Sequence, residues 1–490
     1  MHPSHFLSID LGATSGRSIL AMYDGTYITM RELTRFETVR IYEKGHVYWD
    51  LNHLYHELLA ALRKVKSEGI TPMSIGIDTW GCDVAFFRGG KPVGQPFCYR
   101  DPHTDGAMER YFAQCMSREE LYGRTGIQFM PFNTLFQLHT ILGAKAGGGV
   151  PVSGGSTAGG PMVCGRRRVG EMDKVLFMPD ALIYMLTGET VMERTVASTS
   201  QMASPKSGDL DPEILKTTGL RREHFGRLVE PGCQVGVLST HVQEQTGLGP
   251  VPVVSVASHD TASAVAAIPA EDADFAFLSC GTWSLLGVES PVPVIDDKSF
   301  RHNFTNEGGL DGTVRLLKNI TGLWLLEGCR KEWTEEEAPA GINELSALCL
   351  KSSCQSLVNP DDPLFAHPDS MTAAIRDYLA RTGQAQPQSP ADYVRIIFRS
   401  LAARYRETVD VLRTLSPVKI RRLHVIGGGS SNKYLMQFTA DALQMPVVCG
   451  PQEATALGNA LVQVRAAGLV GSLQEMRAIV RRSVELHTYT

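Results

Sequence analysis

The stretch Phe6-Leu7-Ser8-Ile9-Asp10-Leu11-Gly12-Ala13-Thr14-Ser15-Gly16-Arg17 decides the reading of the fold. A short apolar run ends at an acidic residue and opens into small residues, hydroxyls and glycine, the pattern of a buried strand terminated by a polar turn. The pattern recurs at Ser74-Ile75-Gly76-Ile77-Asp78-Thr79-Trp80-Gly81, at Phe275-Ala276-Phe277-Leu278-Ser279-Cys280-Gly281-Thr282 and at Leu423-His424-Val425-Ile426-Gly427-Gly428-Gly429. Amphipathic helical patterns lie between these places, for example over Leu51 to Val65 and Ala391 to Leu415. Strands alternating with helices predict an α/β protein. The return near residue 275 of the signature near residue 6 predicts two halves of similar architecture with a cleft between them. Ile268-Pro269-Ala270-Glu271-Asp272 reads as the connection, which divides the chain into 1–267 and 268–490.

At 490 residues the chain is too long for one small binding module. Its 47 Lys and Arg against 52 Asp and Glu leave a net charge of −5, with no polybasic signature for nucleic acid or anionic membrane. No stretch approaches the ~18 uninterrupted apolar residues of a membrane helix. The start, MHPSHFLSIDLG, has no basic n-region, and Asp10 cuts its apolar run, so it does not read as a signal peptide and the cytoplasm is the expected location. Ten scattered cysteines without a CxxC pair read as reduced thiols. Of the 47 glycines, one group falls in a Gly/Ser-rich stretch of 145–170 ending in Arg166-Arg167-Arg168, expected as a surface loop. Others sit at the strand ends.

Each strand end carries a chemical reading and a plainer one. In Asp10 to Arg17 the glycines let backbone N–H groups approach phosphate oxygens, Thr14 and Ser15 add hydroxyls, and Asp10 can hold Mg²⁺ or its waters; a tight β-turn uses the same residues. The segment is neither a Walker A loop nor a dinucleotide fingerprint. In Val254-Ser255-Val256-Ala257-Ser258-His259-Asp260-Thr261, Asp260 would sit at a cleft mouth, where a carboxylate can take a proton from an attacking hydroxyl; Ser258 or Asp260 could equally cap the following helix. His259 beside Asp260 raises a hydrolase triad, but no GxSxG elbow is present and residues adjacent on a strand point apart. No further ligands at helical or hairpin spacing complete a metal site. Gly281-Thr282 echoes the first hairpin, and Gly427-Gly428-Gly429 calls for either a flat ligand such as a purine or a crowded turn. Trp80, Trp283 and Trp324, beside three of these turns, are expected to pack in the core.

Taken in order, the segments resemble the FGGY carbohydrate kinases of the actin-like ATPase superfamily. The similar stretches are IDLGATSGR (9–17), SIGIDTWGCD (74–83), YRDPHTDG (99–106), GIQFMPFNTL (126–135), FMPD with YMLTGE (177–189), ASHDTASAV (257–265), LSCGTWSLLGVES (278–290), NFTNEGG with LLKNITGLWLL (303–326), and VIGGGSSN with GPQEATALGNA (425–460). The resemblance implies two ribonuclease-H-like α/β domains, each a mixed sheet flanked by helices, with an interdomain cleft. Residues 1–267 would form the sugar and phosphate-hairpin side and 268–490 the nucleotide side.

It implies ATP-dependent phosphorylation of a ketose at O1, L-rhamnulose being the ketose expected. L-fuculose, xylulose or a non-catalytic ATP-dependent sugar sensor are the alternatives. Ala13, Thr14, Ser15, Gly16 and Arg17 match the first phosphate-binding hairpin, and Asp10 the acid associated with Mg²⁺, directly or through water. Asp260 matches the catalytic base. Gly81, His259, Asp260 and Thr261 match ketose-contacting positions, with Asn319 on the sugar side. Thr282 matches a nucleotide-phosphate position and Gly428 the loop that receives adenosine. The implied partners are ketose and ATP, without nucleic acid or membrane, on a monomer, a homodimer being the alternative. The chain departs from the family pattern in three places. Glu327 stands where a Gln is expected beside nucleotide, and a carboxylate would repel phosphate. Ser430-Ser431 replaces a bulkier polar pair before Asn432, and the loop of 145–170 has no clear counterpart.

Overall fold

The strand expected around Asp10 forms as β1 (Ser4–Leu11), with six consecutive residues from Phe6 onward buried, as suits a central strand covered on both faces. A three-residue turn leads to β2 (Ser15–Tyr23), followed by β3 (Ile28–Glu37). The second acidic strand end forms as β4 (Ser74–Thr79), and β5 (Cys233–Val237) and β6 (Pro252–Ser255) follow. These coordinates are a computed structural model that describes residues 3–143, 170, 172–339, 341–366 and 368–490. The expected loop of 145–170, except Gly170, and Cys164 lie outside the described residues. The other nine cysteines are free thiols.

Contacts divide the chain into two units. The first comprises Met1–Ala266, Pro291–Val314 and Thr455–Ile479; the second comprises Ala267–Ser290, Arg315–Ala454 and Val480–Thr490. In the first, the sheet order is β5-β6-β4-β1-β2-β3. β1 pairs antiparallel with β2 and parallel with β4, so Asp10 has Arg17 opposite it on one side and Asp78 on the other. The predicted helix forms as Leu51–Ser67, its N-terminus capped by the Asp50 side chain on the His53 N–H, and buries Leu51, Leu54, Leu58, Leu62 and Val65. These pack with Leu7, Ile9, Ile75, Ile77, Leu182 and Val253 in the core of this unit.

In the second unit, β7 (Phe275–Cys280), β8 (Trp283–Ser290), β9 (Val314–Thr321), β10 (Arg422–Ile426), β11 (Val447–Cys449) and β12 (His487–Tyr489) are six of the seven strands of a sheet and run in the order β9-β8-β7-β10-β11-β12. β7 pairs antiparallel with β8 and parallel with β10, β10 runs parallel to β11, and β12 is antiparallel to β11. The first unit read as β3-β2-β1-β4-β6-β5 has the same succession. The repeat expected from two similar strand-turn signatures is therefore a repeat of a six-strand arrangement, and each unit is a ribonuclease-H-like mixed sheet flanked by helices. The helix predicted from residue 391 forms as Pro390–Leu415. No helix among the described residues is long and apolar enough to cross a membrane.

Candidate active site

In the first unit, the parallel strands β1, β4 and β6 deliver their C-terminal ends to one place, where open α/β sheets bind ligands. The pairing continues past the strand ends: Thr79 bridges to His259, and its N–H donates to the Ser258 carbonyl at 2.9 Å. Asp10 and Asp78 face each other across the β1–β4 register. Arg17 donates to Asp10 Oδ2 through Nη2 and Nε at 2.8 and 3.1 Å. Burial raises the Asp10 carboxyl above its ordinary value, against the pull of Arg17. Asp78 is fully buried, and burial followed by the charge of Asp10 holds its carboxyl well above the usual range. Asn459 Nδ2 donates to Asp78 Oδ2 at 2.6 Å, while no N–H or hydroxyl donor reaches Oδ1. Behind Asn459, Gln463 Nε2 donates to Asn459 Oδ1 at 2.7 Å and to the Leu7 carbonyl at 3.1 Å. Asp78 was not singled out in the sequence, although Ile77-Asp78 repeats Ile9-Asp10 at a second strand end.

Asp260 is the first residue of the helix Asp260–Ala266, its side chain 33% exposed. Its Oδ1 accepts from the Thr261 N–H and hydroxyl, at 2.5 and 3.0 Å, and Oδ2 accepts nothing from the described residues. His259 Nε2 lies 3.4 Å from Asp260 Oδ1, and His259 Nδ1 lies 3.4 Å from Glu307 Oε2. The expectation that His259 and Asp260 point apart is thus corrected, because they occupy the turn from strand to helix and not the strand itself. A triad does not follow. The neighbouring hydroxyls are committed to backbone, Ser258 donating to the Val256 carbonyl at 3.2 Å and Ser263 to the Ala257 carbonyl at 2.7 Å.

Gly81 precedes a strained turn. The Asp83 N–H donates to the Gly81 carbonyl at 2.9 Å around Cys82, whose φ of 74° lies in the region non-glycine residues avoid. Two hydroxyls hold it: Thr199 Oγ1 accepts from the Cys82 N–H at 3.1 Å, and Thr134 Oγ1 donates to the Cys82 carbonyl at 2.6 Å. A Cβ at Gly81 would stand 2.9 Å from Thr199 Oγ1, so the position has room only for glycine while Thr199 keeps its bond. Asp83, unmarked in the sequence, anchors the surroundings. Its Oδ2 accepts from Trp49 Nε1 (2.6 Å), Trp80 Nε1 (2.9 Å) and Tyr99 N–H (3.1 Å), and its Oδ1 from Gln137 Nε2 (2.8 Å).

Burial pushes the Asp83 carboxyl up to about 6 despite these four donors. Its folded pKa therefore exceeds the unfolded value of about 3.9, and the stability it contributes is fully present below that value and lost as pH rises through 6. Across pH 4.5 to 6.5, wild type is expected to lose roughly 1–3 kcal/mol of unfolding free energy relative to Asp83→Asn, read from urea midpoints at each pH. Parallel pH dependence of the two proteins would count against this assignment.

The first hairpin's turn is fixed from outside. The Thr38 hydroxyl donates to the Gly12 carbonyl at 2.7 Å, the Thr38 N–H to the Thr14 carbonyl at 3.1 Å, and Arg40 Nη2 to the Ala13 carbonyl at 3.1 Å. Thr14 is exposed at the tip, with Ala13 and Ser15 half-buried beside it. Gly16 is explained by packing, since a Cβ there would fall 2.4 Å from the Phe36 ring.

In the second unit, Thr282 is exposed at the tip of the Gly281-Thr282 turn. The Leu323 N–H donates to the Gly281 carbonyl at 3.0 Å, and the Gly322 and Trp324 N–H groups donate to the Thr282 carbonyl at 3.1 and 3.2 Å. Asn319 lies half-buried on β9 beside Lys318, whose ammonium is pushed down to about 8 by burial and then by Arg404. Glu327, on the helix Trp324–Glu332, is ion-paired with Arg330 at 2.8 Å. The triple glycine divides its labour. Gly427 has φ of 83°, a Cβ at Gly429 would strike Cys280 Sγ, and Gly428 alone faces open space. Backbone conformation thus explains the first and crowding the third, and Gly428 is a bare exposed backbone surface. Close by in sequence, Ser431, Asn432, Lys433 and Tyr434 line a cavity of about 420 Å³ with Asn343, Glu344, Ser346 and Ala347. Trp80 is buried as expected, whereas Trp283 and Trp324 are only half-buried.

A paired ribonuclease-H-like fold with acids at the strand ends and a hydroxyl-bearing hairpin in each unit is the build of a sugar kinase. The comparisons agree on this class. Residues 5–148 and 164–267 match the N-terminal domain, and 276–467 the C-terminal domain, of the FGGY family of carbohydrate kinases. The chain belongs to that family. The gap in the match, 149–163, falls within the Gly/Ser-rich stretch. The chain is 48% identical to a rhamnulokinase of Bacteroides thetaiotaomicron, over 99% of this chain and 95% of the relative. It is 41% identical to a rhamnulokinase of Pectobacterium carotovorum, over 100% and 94%. Among solved structures, gluconate kinase from Lactobacillus acidophilus (TM-score 0.77) and xylulose kinase from the same organism (0.76) share the fold, each 15% identical over 99% of this chain and 93% of theirs. The chain is an enzyme that phosphorylates a carbohydrate at the expense of ATP.

Proposed function

We propose that the carbohydrate is L-rhamnulose, phosphorylated at O1 to L-rhamnulose 1-phosphate with release of ADP. The observation that carries this is the 48% identity to a rhamnulokinase over almost the whole of both chains. In this reading Asp260 is the general base, its open Oδ2 accepting the O1 proton as the oxygen attacks the γ-phosphate in line. Gly81, His259, Thr261 and Asn319 contact the ketose. Ala13, Thr14, Ser15, Gly16 and Arg17 receive phosphate, with Thr282 on the nucleotide side, and Gly428 with the neighbouring cavity receives adenosine. Glu327 joins them only through Arg330, whose guanidinium is ion-paired with it and would face the phosphates in its place. Residues 1–267 then act as the sugar and phosphate-hairpin side and 268–490 as the nucleotide side, on a monomer working in the cytoplasm.

Mg²⁺ fits the residues present. Asp10 and Asp78 offer hard oxygen donors, no N–H or hydroxyl donor reaches Asp78 Oδ1, and Mg²⁺ is commonly held by one or two carboxylates together with substrate phosphates and water. Bound there, it would neutralise charge on the phosphates.

Assaying ADP release with ATP, Mg²⁺ and a panel of ketoses tests the reading. L-rhamnulose is expected to exceed L-fuculose and both xylulose enantiomers by at least about 10-fold in kcat/KM, a difference of ~1.4 kcal/mol in transition-state binding. A higher value for another ketose would reassign the substrate, and nucleotide binding without ketose-stimulated ADP release would point to a sensor.

A further inference from the structure

Glu193 ends the strand Val191–Glu193, caps the helix Arg194–Ala197 and has no exposed surface. Its Oε1 accepts from the Thr195 N–H at 2.8 Å, and its Oε2 from the Val196 N–H at 3.0 Å and the Thr195 hydroxyl at 2.6 Å. Capping a four-residue helix requires no more than the backbone bonds, which Ser, Asp or Asn supplies at lower desolvation cost than a fully buried glutamate. Two further bonds leave the helix. Glu193 Oε2 also accepts from the Ser258 N–H at 3.1 Å, and Thr195 Oγ1 accepts from the His259 N–H at 3.2 Å. Ser258 and His259 are the two residues that lead into Asp260.

The segment is gripped from other sides as well. The Ser258 carbonyl accepts from the Thr79 N–H, and the Ala257 carbonyl from Ser263 Oγ. Asp180, also fully buried, accepts from the Glu193 N–H at 3.2 and 3.3 Å, tying the carboxylate's own backbone to the helix Met178–Thr187. Glu193 and Thr195, more than 60 residues away in sequence, therefore hold the two N–H groups of the segment from which Asp260 leaves the strand.

We propose that Glu193 and Thr195 are positioning residues for the reaction: by fixing the backbone N–H groups of Ser258 and His259 they aim the Asp260 carboxylate at the sugar hydroxyl. The proposal rests on Asp260 being the base. Misplacement of a reacting group by about 1 Å can cost 10²-fold in rate, so loss of the grip is expected in kcat. Neither residue belongs to the proposed nucleotide contacts, so KM for ATP is expected to hold.

The test is a cycle in the full-length chain with ketose and ATP. Glu193→Gln, which places an N–H₂ where one of the acceptors was, is expected to lower kcat about 10- to 100-fold with KM for ATP within twofold. Thr195→Val is expected to lower kcat about 10-fold, and Thr195→Ser, which restores the hydroxyl, to recover most of it. Combined with Asp260→Asn, either change is expected to add little, because a base already removed cannot be misaimed. Wild-type kcat in folded Glu193→Gln and Thr195→Val would overturn the proposal, as would losses that multiply with that of Asp260→Asn. Should Glu193→Gln fail to fold, the Thr195 pair decides alone. Near-normal turnover of Asp260→Asn by itself sinks the assignment of the base and the proposal with it, whereas a slow Asp260→Asn beside a normal Thr195→Val sinks the proposal only.

Discussion

Asp260→Asn is expected to lower kcat by at least about 10²-fold while the protein folds normally. The substitution is close to isosteric, and the amide oxygen can take the place of Oδ1, which accepts from the Thr261 N–H and hydroxyl. What changes is the other position. The open Oδ2 becomes an N–H₂ group, which has no lone pair available to accept a proton from the sugar. Positioning of ATP and sugar survives, so a residual rate above that of water is expected, as is usual when phosphoryl transfer depends chiefly on alignment and charge. Ketose-dependent ADP release, with KM for both substrates and a thermal midpoint for each protein, checks this. A folded Asn variant turning over at close to the wild-type rate would remove Asp260 from the role of base and leave it as the first residue of its helix.

The parts of this molecule that were legible in its sequence are those whose physics is local. A buried apolar run that opens into small polar residues or glycine announces a strand end, and the four places with that pattern are the ends of β1, β4, β7 and β10. The site residues that went unmarked are those defined by pairing. Asp78 gains its meaning only from the parallel register that sets it against Asp10. Asn459, which holds it, comes from the helix Ala454–Ala466, 381 residues further along. Glu193 reads in sequence as an ordinary acid before a helix, and only the fold brings Ser258 to it. Asp83 has no distinguishing local pattern, and the indole of Trp49 reaches it from 34 residues away beside that of Trp80. The contact-defined units are also discontinuous, with 291–314 and 455–479 joining the first, an arrangement that no local pattern encodes. The three glycines of 427–429 show the converse: one sequence feature divided by the structure into a left-handed turn, a close packing contact and an open surface.

Asp10→Asn and Asp78→Asn are expected to part company, and the contrast tests the cation site. Removing the Asp10 carboxylate takes away a hard oxygen donor and the ion pair that Arg17 makes with it at 2.8 Å. The expected result is a fall in kcat of about 10²-fold, a Mg²⁺ requirement raised at least about 10-fold at saturating ATP and ketose, and a lower thermal midpoint. Asp78→Asn replaces a carboxyl whose ionisation is opposed first by burial and then by Asp10. An amide there can accept from Asn459 through its oxygen and donate from its nitrogen towards Asp10, filling the position of Oδ1. Unfolding free energy is therefore expected to rise by roughly 1–3 kcal/mol, while the Mg²⁺ requirement increases because one donor is lost. A variant that is more stable and needs more Mg²⁺ is what a carboxylate kept for function, at the expense of the fold, would give. An Asp10→Asn protein with an unchanged Mg²⁺ titration would reduce Asp10 to the end of a turn, and an Asp78→Asn protein that loses stability would mean that the pair is held by more than the cation.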